Sequence, residues 1–351
     1  MLLKFGLVAA LITSVFGVDV DQPSLIGNPA IFGGGTYPRA IKLSDGNLLG
    51  VYTAFSGGNN IITTTQSTDQ GSTWRNHGTV TSGVGDIDNP FLLQLPTGRV
   101  ICAFRNHSKT GKSYTFYRIT ICYSDDNGAT WEFLSEPASG ATNGIWEPFL
   151  RLSTSNNIQL YYSYENASND QDSLLRVSTD GGVTWTSPAT ISGADVQARD
   201  GMLGLTTAPG GSSSDLIAIF ESLDTVTTHL FTVMAVSSSD DGASWENRRT
   251  VYTPTGSLNN AGAPQIINVG GTLVASFMTD EDTSAHNWTT GADVKVATST
   301  DGINWGSKVT VFGVQTNWAG MLAVDDTRFL VLGDNGGAKA QLMGFEEDSA
   351  V

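Results

Sequence analysis

The sequence has little of what would mark a stapled, metal-bearing or nucleic-acid-binding protein. Only two cysteines are present, Cys102 and Cys122, so no cysteine framework holds the chain and its core must be held by burial. The four histidines are scattered without zinc-ligand spacing, and neither a metal nor any other cofactor is expected. Basic residues are scarce: 18 Lys and Arg against 34 Asp and Glu give a formal net charge of −16. That balance excludes the basic footprint needed for nucleic acid or an anionic membrane surface. Helical periodicity is nearly absent, and after the first residues no apolar run is long enough to cross a bilayer.

The opening run, "MLLKFGLVAALITSVFG", carries one Lys, an apolar stretch of roughly a dozen residues and a small-residue end, the pattern of a secretory signal peptide. Residues 1–17 are therefore read as a leader and residues 18–351 as one secreted, soluble, monomeric domain. Three sequons, starting at Asn106, Asn166 and Asn287, fit an exported chain. The two cysteines fall on neighbouring strands of one hairpin in a register that does not set them directly opposite. A disulfide and a pair of buried thiols both stay open.

What the sequence has in quantity is glycine, 40 residues, together with Thr, Ser, Val and aromatics, a composition that points to all-β structure. It also repeats itself. "STDQGSTW" at 67, "SDDNGATW" at 124, "STDGGVTW" at 178, "SSDDGASW" at 238 and the shorter "STDGINW" at 299 end in Trp74, Trp131, Trp185, Trp245 and Trp305, spaced 54 to 60 residues apart. A period of this size marks a repeat architecture. In each copy the Asp can accept backbone N–H bonds, the Gly permits positive φ and the hydroxyl ties down the turn.

A second series runs out of phase with the first: "YPRAIKL", "DNPFLLQL", "WEPFLRL", "RDGMLGL", "GAPQIINV" and "WAGMLAV". Aligned on Pro38, Pro90, Pro148, Gly201, Pro264 and Gly320, these recur every 52 to 63 residues. Each is followed by a turn signal and a second apolar strand. Six sheets of four antiparallel strands arranged radially make a six-bladed β-propeller, with the mature N-terminus supplying the last outer strand.

In such a propeller the first strand of each blade begins, and the second ends, at the ligand-binding face. Those positions are Arg39, Asp88, Asn89, Trp146, Glu147, Arg199, Asp200 and Trp318 on first strands, and Tyr52, Arg105, Ser163, Glu221 and Met278 on second strands. Glu147 and Glu221 are the only glutamates among them. Two carboxyl groups suffice for glycoside hydrolysis, one protonating the leaving oxygen and the other attacking the anomeric carbon or activating water. The plainer alternatives are a solvated edge or ion pair for the glutamates, carboxylate neutralisation for Arg39, Arg105 and Arg199, loop capping for Asp86 and Asp88, and interblade contact for Trp146 and Trp318.

The motif S-x-D-x-G-x-[ST]-W resembles the Asp box of sialidases and related propellers, which implies a sialidase-like six-bladed fold. A sialidase site would also need an arginine triad and a late Tyr nucleophile. No tyrosine follows Tyr252, and the only arginines beyond Arg199 are Arg248, Arg249 and Arg328. The set "YPRAIKLSDGNLLGVYT", "DNPFLLQL", "WEPFLR", "ARDGM", "FES", "NAGAPQI" and "GAKAQ" is instead similar to the exo-α-1,5-L-arabinanases of glycoside hydrolase family 93. That resemblance implies a secreted retaining enzyme releasing arabinobiose from arabinan, with Glu147 and Glu221 as its catalytic pair. Glu221 is assigned here as nucleophile and Glu147 as acid/base. A sialidase or another exo-glycosidase on the same fold, and a non-catalytic carbohydrate-binding propeller, are the competing expectations.

Overall fold

The computed structural model describes residues 22–284 and 286–345; the expected leader lies outside them. The order of strands follows the two repeat series. Alternating apolar residues and hydroxyl or glycine turns give β1 (Ser24–Gly33), then β2 (Gly35–Lys42), β3 (Leu48–Ser56), β4 (Asn59–Ser67) and β5 (Arg75–Gly83) as one sheet, and β6 (Asp86–Gln94), β7 (Val100–Thr110), β8 (Ser113–Ser124) and β9 (Glu132–Gly140) as the next. β10 (Ile145–Leu152), β11 (Ile158–Ala167), β12 (Asp170–Ser178), β13 (Ala189–Ser192), β14 (Ala198–Thr207), β15 (Leu216–Asp224), β16 (Phe231–Ser238) and β17 (Glu246–Tyr252) form a single eight-stranded sheet. β18 (Ala261–Val269), β19 (Thr272–Thr279), β20 (Asp293–Ser299) and β21 (Gly306–Phe312) make another, and β22 (Asn317–Ala323), β23 (Arg328–Asp334) and β24 (Ala338–Gly344) take β1 as their fourth strand.

This is an all-β propeller. The expectation of six separate four-stranded sheets is corrected: four are separate, and the other eight strands join. The cause is local. β12 and β14 meet in parallel at one pair, Gln171 with Arg199, where the Arg199 guanidinium also donates to Gln171 Oε1 at 2.9 Å. The ring is closed by antiparallel pairing of β1 with β24, Ser24 opposite Gly344. The first strands pack side by side in a closed circuit, β2 on β6, β6 on β10, β10 on β14, β14 on β18, β18 on β22, and β22 on β2.

The repeated turns lock neighbouring sheets. In the first, Ser67 Oγ accepts from the Gly71 N–H at 2.8 Å, Asp69 accepts from the Thr73 N–H at 2.9 Å and its hydroxyl at 2.6 Å, and Trp74 Nε1 donates back to Gly71 O at 3.0 Å. Gly71 has φ +91° and no room for a side chain: a Cβ there would lie 2.7 Å from Leu330 on β23 of the adjoining sheet. In the shortened fifth copy Asn304 replaces the hydroxyl residue and donates to Asp301 Oδ2 at 2.7 Å. Removing one buried anchor should be felt globally. Ser238 Oγ accepts from Gly242 N–H at 2.9 Å and donates to Asp240 at 2.8 Å, so Ser238→Ala is expected to cost about 1–2 kcal/mol, read as a Tm fall of several degrees by calorimetry. An unchanged Tm would show that this turn does not lock the sheets.

Cys102 and Cys122 correct the register read from sequence, since they pair directly across β7 and β8. Both are buried free thiols. Burial pushes Cys102 up, and Cys122 to about 11.

Candidate active site

All six first strands carry the same irregularity near their starts. The pairing with the second strand slips between Thr36 and Arg39, Asp88 and Phe91, Trp146 and Phe149, Gly201 and Gly204, Gly262 and Gln265, and Asn317 and Gly320. Within each slip one non-glycine residue has positive φ: Tyr37, Asn89, Glu147, Met202, Ala263 and Trp318. In four strands the next residue is proline, which disfavours the right-handed helical region for the residue before it. A left-handed backbone costs an L-residue roughly 1–2 kcal/mol, and bulges of this kind re-aim side chains. Six strained residues gathered at one end of a ring are therefore an observation about function.

Glu147 is one of them. It lines a cavity of about 240 Å³ with Arg105, Trp146, Glu165, Gln171, Arg199, Glu221 and Phe231. Burial pushes Glu147 up to about 7, against the opposing pull of Arg105, a hydrogen bond with Ser163 and the charge of Arg199. Glu221 is pushed up to about 8, again by burial, opposed by the Ala263 N–H that donates to its Oε2 at 2.7 Å and reinforced by the charge of Glu147. The two carboxyls thus lie in one cavity and feel each other.

Two glycines make room for them. A Cβ on Gly262 would lie 2.6 Å from Glu221 Oε2, and one on Gly201 would lie 2.6 Å from Gln171 Nε2 and 3.8 Å from Glu147 Oε2. Gly201 is also the register partner of Glu221. The arginines are held from behind. Arg105 donates to Asp86 and Asp88 at 3.2 and 3.1 Å and lies 5.5 Å from the Trp146 ring centroid. Arg199 donates to Glu165 at 2.5 Å and to Gln171 at 2.9 Å. Asp88 in turn accepts from Thr53 Oγ1 at 2.6 Å and from the Asn89 N–H at 2.8 Å. Trp146 leans edge-on against His107, Tyr114 and Tyr117, a rigid aromatic bank. His107 is held neutral, lowered to about 4 by burial and by Arg105, and its Nε2 lies 2.7 Å from Ile145 O.

Of the residues singled out from sequence, Glu147, Glu221, Arg105, Trp146 and Arg199 come together at this cavity. Asp88 stands behind Arg105, and Asn89 is a buried bulge residue. Arg39 is 3 % exposed, donates to the carbonyls of Pro38 and Trp318 and stacks 4.0 Å from the Tyr37 ring centroid; the Trp318 ring also packs on Tyr37, with centroids 6.4 Å apart. Two are placed elsewhere. Tyr52 is buried beneath Gly33 and Phe32, its hydroxyl turned to Asn76. Asp200 is fully buried in a two-pronged ion pair with Arg248. Its misplacement follows from alignment on Gly201, whereas the bulge sits at Met202. Glu165, Gln171 and Phe231, which line the cavity, were missed. Glu165 and Ser163 are two apart on β11 and share a face, a signal that would have found the former.

A β-propeller with two half-buried carboxyls and two arginines in one cavity is the class of protein that fold and site define. A family model described as a BNR repeat-like domain matches residues 27–212, more than half of the chain, and the chain belongs to that family. A search of curated protein sequences finds no match. Among solved structures, the fold is similar to a family 93 α-L-arabinofuranosidase of Fusarium graminearum solved with arabinobiose (21% identity, 90% of this chain and 97% of that one, TM-score 0.72). It is similar also to an α-L-arabinanase of Penicillium chrysogenum complexed with arabinobiose (18%, 92% and 98%, 0.71). The NanB sialidase of Streptococcus pneumoniae shares the fold more distantly (13%, 94% and 70%, 0.58). Among the described residues no group of His, Cys, Asp and Glu is placed to hold a metal ion.

Proposed function

We propose that this protein is a secreted, retaining exo-glycoside hydrolase that releases arabinobiose from the non-reducing end of linear α-1,5-arabinan. The observation that carries the reading is the pair of half-buried carboxyls, Glu147 and Glu221, in one cavity with the guanidiniums of Arg105 and Arg199. The two arabinobiose-bound structures that share the fold support the choice of sugar. On this reading the eight-stranded sheet works as two radial blades, which gives six around the channel, and residues 1–17 are removed on export.

The chemistry needs one carboxylate and one carboxylic acid and no cofactor. The ionised group attacks the anomeric carbon while the acid protonates the departing glycosidic oxygen; the resulting carboxylate then takes a proton from the water that hydrolyses the glycosyl ester. Electrostatics support the reverse of the roles assigned from sequence. Glu147 has Arg105 and Arg199 among its neighbours and a hydrogen bond with Ser163, set against the charge of Glu165, whereas Glu221 has the Ala263 N–H and Arg199, set against the charge of Glu147. Ionisation is easier at Glu147, which makes it the nucleophile and Glu221 the acid/base.

The test is product analysis on debranched arabinan across pH, beside a sialyl-lactose control. Arabinobiose is the expected product, with a bell-shaped rate. Binding a second proton to the pair removes the nucleophile on the acid side; losing the last proton removes the acid on the alkaline side. The limbs belong to the pair and should fall near 7 and 8. Sialic acid release, or binding without turnover, would refute the proposal.

A further inference from the structure

The cavity lining is mostly charged or polar, with Trp146 and Phe231 its aromatic residues. Met202, Ala263 and Met278 belong to a buried apolar cluster with Trp288 and Trp318 packed against it. Trp288 lies in the connection between β19 and β20, half-buried between exposed Asn287 and Thr289. Its indole stacks on Phe231 with centroids 5.5 Å apart and planes 17° apart, and Phe231 lines the cavity. The point where Gly262 lacks a Cβ lies 3.0 Å from Trp288 Cζ2 and 2.6 Å from Glu221 Oε2. The ring edge and the carboxyl therefore share the space that one missing methyl leaves open.

The connection is anchored at its start. Asp280 Oδ1 accepts from the Asn260 N–H at 2.6 Å, Glu281 accepts from the Tyr252 hydroxyl at 2.6 Å and from Lys308 at 2.8 Å, and Asp282 accepts from the buried Lys295 at 2.5 Å. Lys295 also donates to Asp293 at 2.8 Å, tying both ends of the connection together. An aromatic ring presented from a fixed loop binds without an ordering cost at the moment of contact. Its electron-rich face suits the C–H face of a sugar ring.

We propose that Trp288, backed by Phe231, is the stacking platform for the pentose bound against Glu221, and that this aromatic pair selects a neutral sugar. The inference rests on the arabinan reading of the site. Its test compares wild type, Trp288→Ala, Trp288→Phe and Trp288→Leu for arabinobiose affinity by calorimetry and for kcat and KM on debranched arabinan. Trp288→Ala is expected to weaken arabinobiose binding about tenfold, on the order of one factor of ten for a lost aromatic contact, with KM raised more than kcat falls. Phe should bind severalfold more tightly than Leu, because bulk alone does not supply a π face. Equal binding by Phe and Leu overturns the platform, even if the alanine variant fails to fold. Absence of arabinan turnover by wild type, with arabinobiose still bound, defeats the hydrolase reading and leaves the Phe and Leu comparison to decide this one; no arabinobiose binding by wild type overturns both.

Discussion

Glu147→Ala is expected to abolish hydrolysis of every arabinoside regardless of its leaving group, whereas Glu221→Ala is expected to spare the bond-breaking step on a nitrophenyl arabinoside. The reasoning is chemical. A nitrophenolate departs without a proton, so loss of the acid costs little on that substrate, while arabinan, whose leaving group is a poor sugar alkoxide, loses general acid catalysis worth about 10²–10⁴-fold. Loss of the nucleophile removes the covalent route for both substrates. Stopped-flow release of nitrophenol, with arabinan turnover measured in parallel, separates the two variants. A nitrophenol burst from Glu147→Ala and none from Glu221→Ala would restore the roles read from sequence. The physical basis for the assignment is the uneven company of the two groups: Arg199 opposes the burial of both, but Arg105 and Ser163 act on Glu147, while the charge of Glu147 adds to the burial of Glu221.

The pair was legible in the sequence because a channel and a strand impose strict geometry. Residues that open a first strand or close a second tend to converge, and this brought out Glu147 and Glu221 but not Glu165, which lines the same cavity from the end of β11. The turn motif was legible for the same kind of reason: Ser67, Asp69, Gly71 and Thr73 are chosen by hydrogen bonds across a few residues, and such local chemistry is written in local sequence. Register was harder. Every first strand contains an extra residue at its bulge, and aligning Gly201 instead of Leu203 with the prolines put Asp200 in the place that Met202 occupies, when its carboxylate belongs to Arg248. Tyr52 closes a second strand as the pattern requires, but Gly33 leaves room for its ring to fold outward under β1, and nothing in residues 48–56 records that. Cys102 and Cys122 pair directly across a hairpin whose register shifts between Ser108 and Lys109, where Thr115 is the extra residue on β8. Trp288 was hidden by its setting in a long connection with no periodicity, where only tertiary contact with Phe231 and Gly262 gives it a place.

Gly262→Ala is expected to lower kcat on arabinan by about a hundredfold while leaving the fold in place. The added methyl would sit 2.6 Å from Glu221 Oε2, 3.1 Å from Glu221 Cβ and 3.0 Å from Trp288 Cζ2. Neither neighbour can yield freely, since the carboxyl is held by the Ala263 N–H and the indole is stacked on Phe231. The carboxyl must therefore move, and misplacing a reacting group by about 1 Å costs on the order of 10²-fold. Gly201→Ala provides the graded comparison: its methyl would meet Gln171 Nε2 at 2.6 Å and Ser163 Oγ at 3.2 Å but stay 3.8 Å from Glu147 Oε2. It presses on the support of Arg199 and on the hydrogen-bond partner of Glu147, and a smaller loss follows. Gly313→Ala, whose methyl meets nothing within 4 Å, should be silent. Steady-state kinetics and thermal melts on the three proteins read the order directly. If Gly262→Ala keeps wild-type kcat with an unchanged melt, the Glu221 carboxyl does not occupy the position on which both its catalytic role and the Trp288 platform depend.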